Sequence, residues 1–359
     1  GDAAAGDEDD EDEDEADVDE LEPHDLPDGS PLRPVSVESG RTLREEATHD
    51  LVDGVQARPW YAVVNEWRNW YRDYESMHIE YEKDGETART RLENSYQPRY
   101  GKRYYARLKD LERGILRRWD EYSTCMLTFT SSTTNAEGRN RCPADHMRQI
   151  AEGWRTARKQ LHQALSGEIW EYCRVWEPHK SGYGHLHVAV FVETDTLDPE
   201  RFESVTRSYV ENTKSAGTRA HSLENAVSVN DDVENLGSYI SEYIGIFGES
   251  PVHRDMSEQM FYAVTWATGT RRLDFSNGAQ GIISGEEFRR ETGLRPEDRG
   301  CGSDSEGSEG GEGGECGGGW GVESICRVES RRREYLDPTT GGGEMEPIEG
   351  RPGLDPPRR

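Results

Sequence analysis

Trp60, Val63, Val64, Trp67, Trp70, Tyr71 and Tyr74 recur three and four residues apart, the spacing that gathers side chains on one helix face. A helix with a buried face is predicted there. A second helical stretch is predicted over 87–121, broken near Pro98 and Gly101. The pattern then shortens. Cys125-Met126-Leu127-Thr128-Phe129-Thr130 is a compact apolar run followed by polar Ser131 and Ser132, which reads as a strand. Further on, the pattern predicts a helix over 143–165, a strand over 169–176, a turn over 178–183 and a strand over 185–192. Asp198-Pro199 opens a helix running to about Asn212. A weaker strand follows over 226–229, then helices over 235–247 and 256–267.

From Cys125 onward this order is β-α-β-β-α-β-α. Its first six elements predict an α+β fold, a ferredoxin/RRM-like antiparallel sheet with helices on one face. The seventh would lie across the other face. Five regions are expected: an acidic disordered tail over 1–50, a helical basic-aromatic region over 51–121, a catalytic domain over 122–250, an extension over 251–300 and a Gly/Glu-rich tail over 301–359.

Charge sharpens this division. The formal net charge is −29, yet residues 1–50 alone hold 20 acids against 3 bases and 301–359 hold 13 against 7. The central part carries 39 acids and 33 bases, so a nucleic-acid partner is not excluded. Lysine is scarce, 6 residues against 37 arginines, a balance that resembles proteins of salt-loving archaea. In molar salt charges are screened within about 3 Å, so an acidic surface does not forbid DNA binding. The six cysteines form no C-x-x-C pair, which removes support for a zinc ribbon. No G-x-x-x-x-G-K-[ST] occurs, so no P-loop helicase is indicated. No apolar run reaches the ~18 residues of a membrane span, and no signal peptide is visible. A soluble cytoplasmic protein without membrane contact is expected.

Candidate chemistry begins at Gly184-His185-Leu186-His187-Val188. Alternate residues of a strand share a face, so His185 and His187 point the same way and form half of a metal site. The turn before them makes a hairpin that can bring Glu177 alongside as a third ligand. Such a site with open positions would suit Mg²⁺, Mn²⁺ or Zn²⁺, and phosphate oxygen chemistry favours Mg²⁺ or Mn²⁺. His179 is a spare candidate in the turn. The competing reading is a hydrogen-bonded histidine pair without an ion. Tyr239 and Tyr243, four residues apart, share a helix face and could act as nucleophiles in successive transfers; the competing reading is core packing beside Leu236, Ile240 and Phe247.

Taken together and in order, these elements resemble the HUH endonuclease family of rolling-circle replication initiators (Rep). Met126-Leu127-Thr128-Phe129-Thr130 looks like the family's first motif, His185-Leu186-His187 its histidine motif, and Tyr239 to Tyr243 its two-tyrosine motif. Glu177 matches the position of a third metal ligand. The wording of 177–183 and 267–272 also resembles initiators of haloarchaeal plasmids and pleomorphic viruses. The resemblance implies origin nicking by a metal-assisted tyrosine, leaving a 5′-phosphotyrosyl link and a free 3′ hydroxyl. It implies single-stranded or supercoiled origin DNA as substrate, with host helicase and polymerase as partners. Glu242 stands where some two-tyrosine members carry lysine, a departure from the family's pattern. By analogy with members in which glutamate replaces the first tyrosine, Tyr243 is expected to cleave first, with Tyr239 as its partner.

DNA contact is expected from the basic-aromatic stretch. Residues 89–118 hold ten bases and three acids, interleaved with tyrosines that can stack on unpaired bases. Arg99, Lys102, Arg103, Arg107, Tyr100 and Tyr104 are the candidates, with Lys180 in the turn; a solvated helix face is the competing reading. Two rival functions remain open: a single-strand-binding replication accessory module without cleavage, and an HUH transposase.

Overall fold

The computed structural model describes residues 19–33, 35, 43–48, 58–83, 86–230, 250–292 and 321–327. Helix α1, Trp60–Glu75, forms where the aromatic periodicity predicts it. Trp60, Val63, Val64, Trp67 and Tyr71 are all fully buried, so the stripe is a packing face. Trp67 meets Tyr71, Tyr96 and Tyr262 at ring distances of 6.2, 6.2 and 5.8 Å.

The next segment departs from the expected helix. Strand β1, Met77–Lys83, pairs antiparallel with β2, Glu86–Arg91, inside the stretch read as helical from residue 87. Thr87 and Thr90 are β-branched and favour extended backbone, and β1 supplies a ladder for them. Helix α2 begins only at Pro98 and runs Pro98–Arg118. Pro98 therefore opens this helix instead of breaking it, because the first turn has no use for its missing N–H.

The main sheet contains β3, Ser123–Phe129, β4, Trp170–Pro178, and β5, Gly184–Val192. It is completed by β6, Val227–Asn230, and β7, Leu273–Phe275. The strand order is β6-β3-β5-β4-β7, antiparallel throughout. Helix α3, Pro143–Ala164, links β3 to β4, and α4, Glu203–Asn212, lies between β5 and β6. The β-α-β-β-α-β unit thus has its fourth strand beside its first and its third between first and second, the ferredoxin-like arrangement. The α+β class is as expected, and α3 bounds the predicted helix almost residue for residue.

Both faces of this sheet are covered. Cys125, Leu127, Phe129, Leu186, Val188 and Val190 pack with Ile150 and Trp154 of α3 and Tyr209 of α4. The same core continues into α1 and α5, Met256–Ala267. On the other face, Met126, Cys173, Val175, Ala189 and Phe191 pack with Tyr104, Leu108 and Ile115 of α2. Ile282 and Ile283 of α6, Asn277–Thr292, join them. Two-sided burial explains the near-continuous apolar run of β5. Helices α2 and α6 pack on the face over which the tyrosine-bearing helix is expected. The stretch 235–247, with Tyr239 and Tyr243, lies outside the described residues. The segment 251–300 contributes β7 to the sheet edge. Within 301–359, β8, Gly321–Arg327, pairs with β1 to give a second sheet of order β2-β1-β8.

Candidate metal centre

The β4–β5 hairpin builds the site. His179 N–H donates to the Tyr183 carbonyl at 2.7 Å, and Gly182 N–H to the His179 carbonyl at 2.7 Å. Gly182 has φ of 80°, a left-handed conformation that glycine adopts without steric cost. A Cβ there would also lie 2.5 Å from Met260 Sδ. The Tyr183 hydroxyl donates to the Arg141 carbonyl at 2.6 Å and ties the turn to the loop before α3. This turn sets a register in which Glu177 faces His185 directly across the ladder.

Glu177, His185 and His187 converge as predicted: their ligand atoms all lie within 4.8 Å of one another. His185 Nε2 is 3.0 Å and His187 Nε2 2.8 Å from the same carboxylate oxygen, Glu177 Oε2. Neighbouring ligands on an octahedral ion with ~2.1 Å bonds stand about 3 Å apart, so the donor spacing fits a divalent cation. His179 belongs to the turn, its ring centroid 6.1 Å from that of His185, and is not one of the converging three.

Burial differs along the strand for a topological reason. His187 sits between Thr128 of β3 and Val175 of β4 and is 7 % exposed. His185 lies one pair beyond the last β3 partner, Phe129↔Leu186, and is half-buried. The open side of the cluster is therefore at His185. Thr128 is a site residue that the sequence reading missed: its hydroxyl is 3.1 Å from His187 Nδ1. It is paired with a residue 59 positions away, and no local pattern marks such a register. A proton on Nε2 leaves Nδ1 to accept from the Thr128 hydroxyl. A ligating Nε2 needs the opposite tautomer, and a hydroxyl can then accept from Nδ1–H instead.

The electrostatics suit a ligand set. Burial acts to raise the Glu177 carboxyl, but hydrogen bonds from His185 and His187 and their charge outweigh it and bring it down to about 2. Burial lowers His187, against the pull of Glu177. The cluster thus offers an anionic oxygen and a neutral imidazole at neutral pH. Across the β3–β5 layer, burial brings His146 of α3 down to about 4, although the Ser131 carbonyl stands 3.0 Å from its Nε2 and opposes the shift. A histidine whose folded pKa lies below its unfolded value costs stability as pH falls, because the unfolded chain takes the proton first. His146 alone should remove roughly 2 kcal/mol between about pH 7 and about pH 5; His187 and His221, both lowered by burial, act with the same sign. Urea unfolding across that window should show the loss, and His146→Gln should flatten it.

The predicted DNA contacts are rearranged. Tyr104 is 7 % exposed and lies edge-on to Tyr100 at 4.7 Å. This corrects its assignment as a base-stacking residue: its ring is spent in the core under α2. Arg99 and Arg103 both pair with Glu93, at 3.0 and 2.6 Å, and Arg103 also lies 5.7 Å over the Tyr100 ring. Arg107 covers Phe275 at 5.0 Å. Lys102 and Lys180 are exposed. Among the described residues no helix is long and apolar enough to cross a membrane.

Two proteins, each called "Uncharacterized 36 kDa protein", are similar to this chain. The one from Halobacterium salinarum is 36% identical over 265 residues, covering 69% of this chain and 84% of the relative. The one from Halobacterium sp. (strain GN101) is 33% identical over 290 residues, 72% of this chain and 88% of the relative. No solved structure is a significant match. The model of the family described as "Putative rep protein (DUF1424)" matches residues 35–307, an interval that contains the whole main sheet and the Glu177-His185-His187 cluster. The chain belongs to that family.

Proposed function

We propose that this protein is an origin-nicking replication initiator of the HUH type, in which a tyrosine attacks DNA beside a divalent ion held by Glu177, His185 and His187. The observation that carries this reading is the convergence of those three donors on the β4–β5 hairpin, in a family described by the word rep. Two imidazoles with one carboxylate suit Mn²⁺ better than Mg²⁺, whose preferred ligands are oxygens. When bound, the ion supplies Lewis-acid polarisation of a phosphoryl oxygen.

The protein's own groups do the rest. Glu177 stays ionised and Thr128 fixes the His187 ring. Tyr243 is the first nucleophile and Tyr239 its partner, carried over from the two-tyrosine motif. The phenol oxygen gives up its proton and bonds to phosphorus, the P–O3′ bond breaks, and the departing 3′ oxygen takes up a proton, so none is gained or lost overall. The products are a 5′-phosphotyrosyl link and a free 3′ hydroxyl. The latter primes a host polymerase, and a host helicase opens the duplex. The catalytic unit comprises 122–250 with β7 and α6, acting in the cytoplasm on plasmid or viral DNA of a halophilic host.

One observation favours a second reading. Glu177 Oε2 hydrogen-bonds His185 Nε2 at 3.0 Å and stands 2.8 Å from His187 Nε2, so the three side chains also hold one another as a polar cluster, as a single-strand-binding accessory protein would allow. A labelled origin oligonucleotide incubated with Mn²⁺ separates the two. The nuclease leaves a shortened strand and a denaturation-resistant protein–DNA band. The accessory protein gives neither. Cleavage without the band points to a metal-activated water and rejects the tyrosine mechanism.

A further inference from the structure

The side of the sheet away from the histidines carries a groove of about 630 Å³ between α3, β4 and the loop after α5. Arg174 and Trp176 alternate along β4 with Val175 and Glu177, so they face away from the metal cluster. Arg148, Arg155 and Arg158 of α3, Arg174 of β4 and Arg271 of the loop line this one concavity, in a chain of net charge −29. Arg174 pairs with Asp274 at 2.9 Å and Arg148 lies 3.6 Å from Glu152. Arg158 donates to the Tyr172 hydroxyl at 3.2 Å. Arg155 and Arg271 are exposed and have no carboxylate partner among the described residues. Two carboxylates against five guanidiniums leave the groove positive.

The loop that carries Arg271 is held in shape. Gly269 has φ of 63° and donates to the Trp266 carbonyl at 3.2 Å, while Thr270 N–H donates to the Thr265 carbonyl at 2.9 Å. This is the Schellman pattern, which ends a helix on a left-handed glycine. The Thr268 and Thr270 hydroxyls, 2.7 Å apart, brace it further. Arg271 therefore leaves a defined corner opposite the α3 arginines. At a rise of 1.5 Å per residue, Arg148 to Arg158 span about 15 Å along the helix, a row longer than one phosphate group needs. Beneath it, Trp154 and Trp176 are 2 % and 3 % exposed, so the indoles are floor and do not offer faces to bases. Guanidiniums read phosphate oxygens without regard to sequence.

We propose that this groove binds the phosphodiester backbone of a DNA single strand, on the side of the sheet opposite the nicking site. The proposal rests on the reading of the chain as a DNA-processing protein, but not on cleavage. It assigns DNA contact to α3 and the 268–271 loop in addition to the exposed lysines Lys102 and Lys180.

The test is binding of a fluorescein-labelled oligothymidylate to the full chain at several KCl concentrations, without divalent metal. Arg155→Ala with Arg271→Ala removes two exposed side chains, so the melting temperature and Mn²⁺ binding should match wild type. Affinity should fall on the order of tenfold, and the slope of log K against log [KCl] should become shallower by about 1.4, two contacts at ~0.7 each. Arg155→Lys with Arg271→Lys should keep the wild-type slope, because the charge remains. Unchanged affinity and slope in the alanine pair overturn the proposal. So does loss of ATP binding with oligothymidylate binding unchanged, which would make the groove a mononucleotide site. If wild type fails to cut with Mn²⁺ while the alanine pair still weakens binding, the nuclease reading fails and the groove stands.

Discussion

His187→Ala is expected to abolish metal-dependent cleavage while the protein stays folded. His187 is the most enclosed of the three donors, placed between β3 and β4 with Thr128 behind its Nδ1 and Glu177 before its Nε2. Changes to groups behind a metal ligand already cost 10–100-fold in affinity or activity, so deleting the ligand itself should cost about 100-fold or more. The fold should survive because the strand keeps its ladder and the polar groups left behind lie beside the open His185 end, within reach of water. Titration calorimetry with Mn²⁺ reads the loss directly, and circular dichroism checks the fold. Full cleavage by this variant would remove the cluster from the mechanism. Glu177→Gln should weaken Mn²⁺ binding less, since the amide keeps an oxygen donor but loses the charge.

Tyr243→Phe is expected to eliminate the covalent protein–DNA band altogether while Mn²⁺ and oligonucleotide binding persist. Only a hydroxyl is removed, so packing and charge are preserved, and a phenyl ring has no nucleophile to offer. A free phenol with a pKa near ~10 is a poor nucleophile at neutral pH, which is why metal-dependent cleavage and the band should vanish together in the His187 variant. Tyr239→Phe should permit the first nick and impair the second transfer. Peptide mapping of the trapped wild-type adduct decides the order. An adduct on Tyr239 preserves the two-tyrosine mechanism and reverses the roles; an adduct on neither rejects it.

Local patterns foretold much of this molecule because the forces that set them act over a few residues. The Trp60–Tyr74 stripe became the buried face of α1, Pro143 is the first residue of α3, and Asp198-Pro199 opens a 3-10 turn, Pro199–Phe202, that leads into α4 at Glu203. The His185-Leu186-His187 alternation put both imidazoles on one side of β5, and the hairpin turn that returns Glu177 to them was visible in 178–183. Thr87 to Arg91 was misread because basic and polar residues suit a helix as well as a strand until a partner strand decides. That partner is β1, and β1 is in turn flanked by β8, contributed from far along the chain.

The periods of burial, the paired histidines with their carboxylate, and the acidic ends are properties of the sequence by itself, because each depends on spacing along the chain or on composition. The tertiary structure alone decided that α2 and α6 fill the second face of the sheet, that Tyr104 is core, that Thr128 stands behind His187, and that arginines from α3, β4 and the 268–271 loop share one groove. Each of these joins residues distant in sequence through strand register or helix packing, and register is settled by burying both faces of β5 at once, a constraint that no single segment carries.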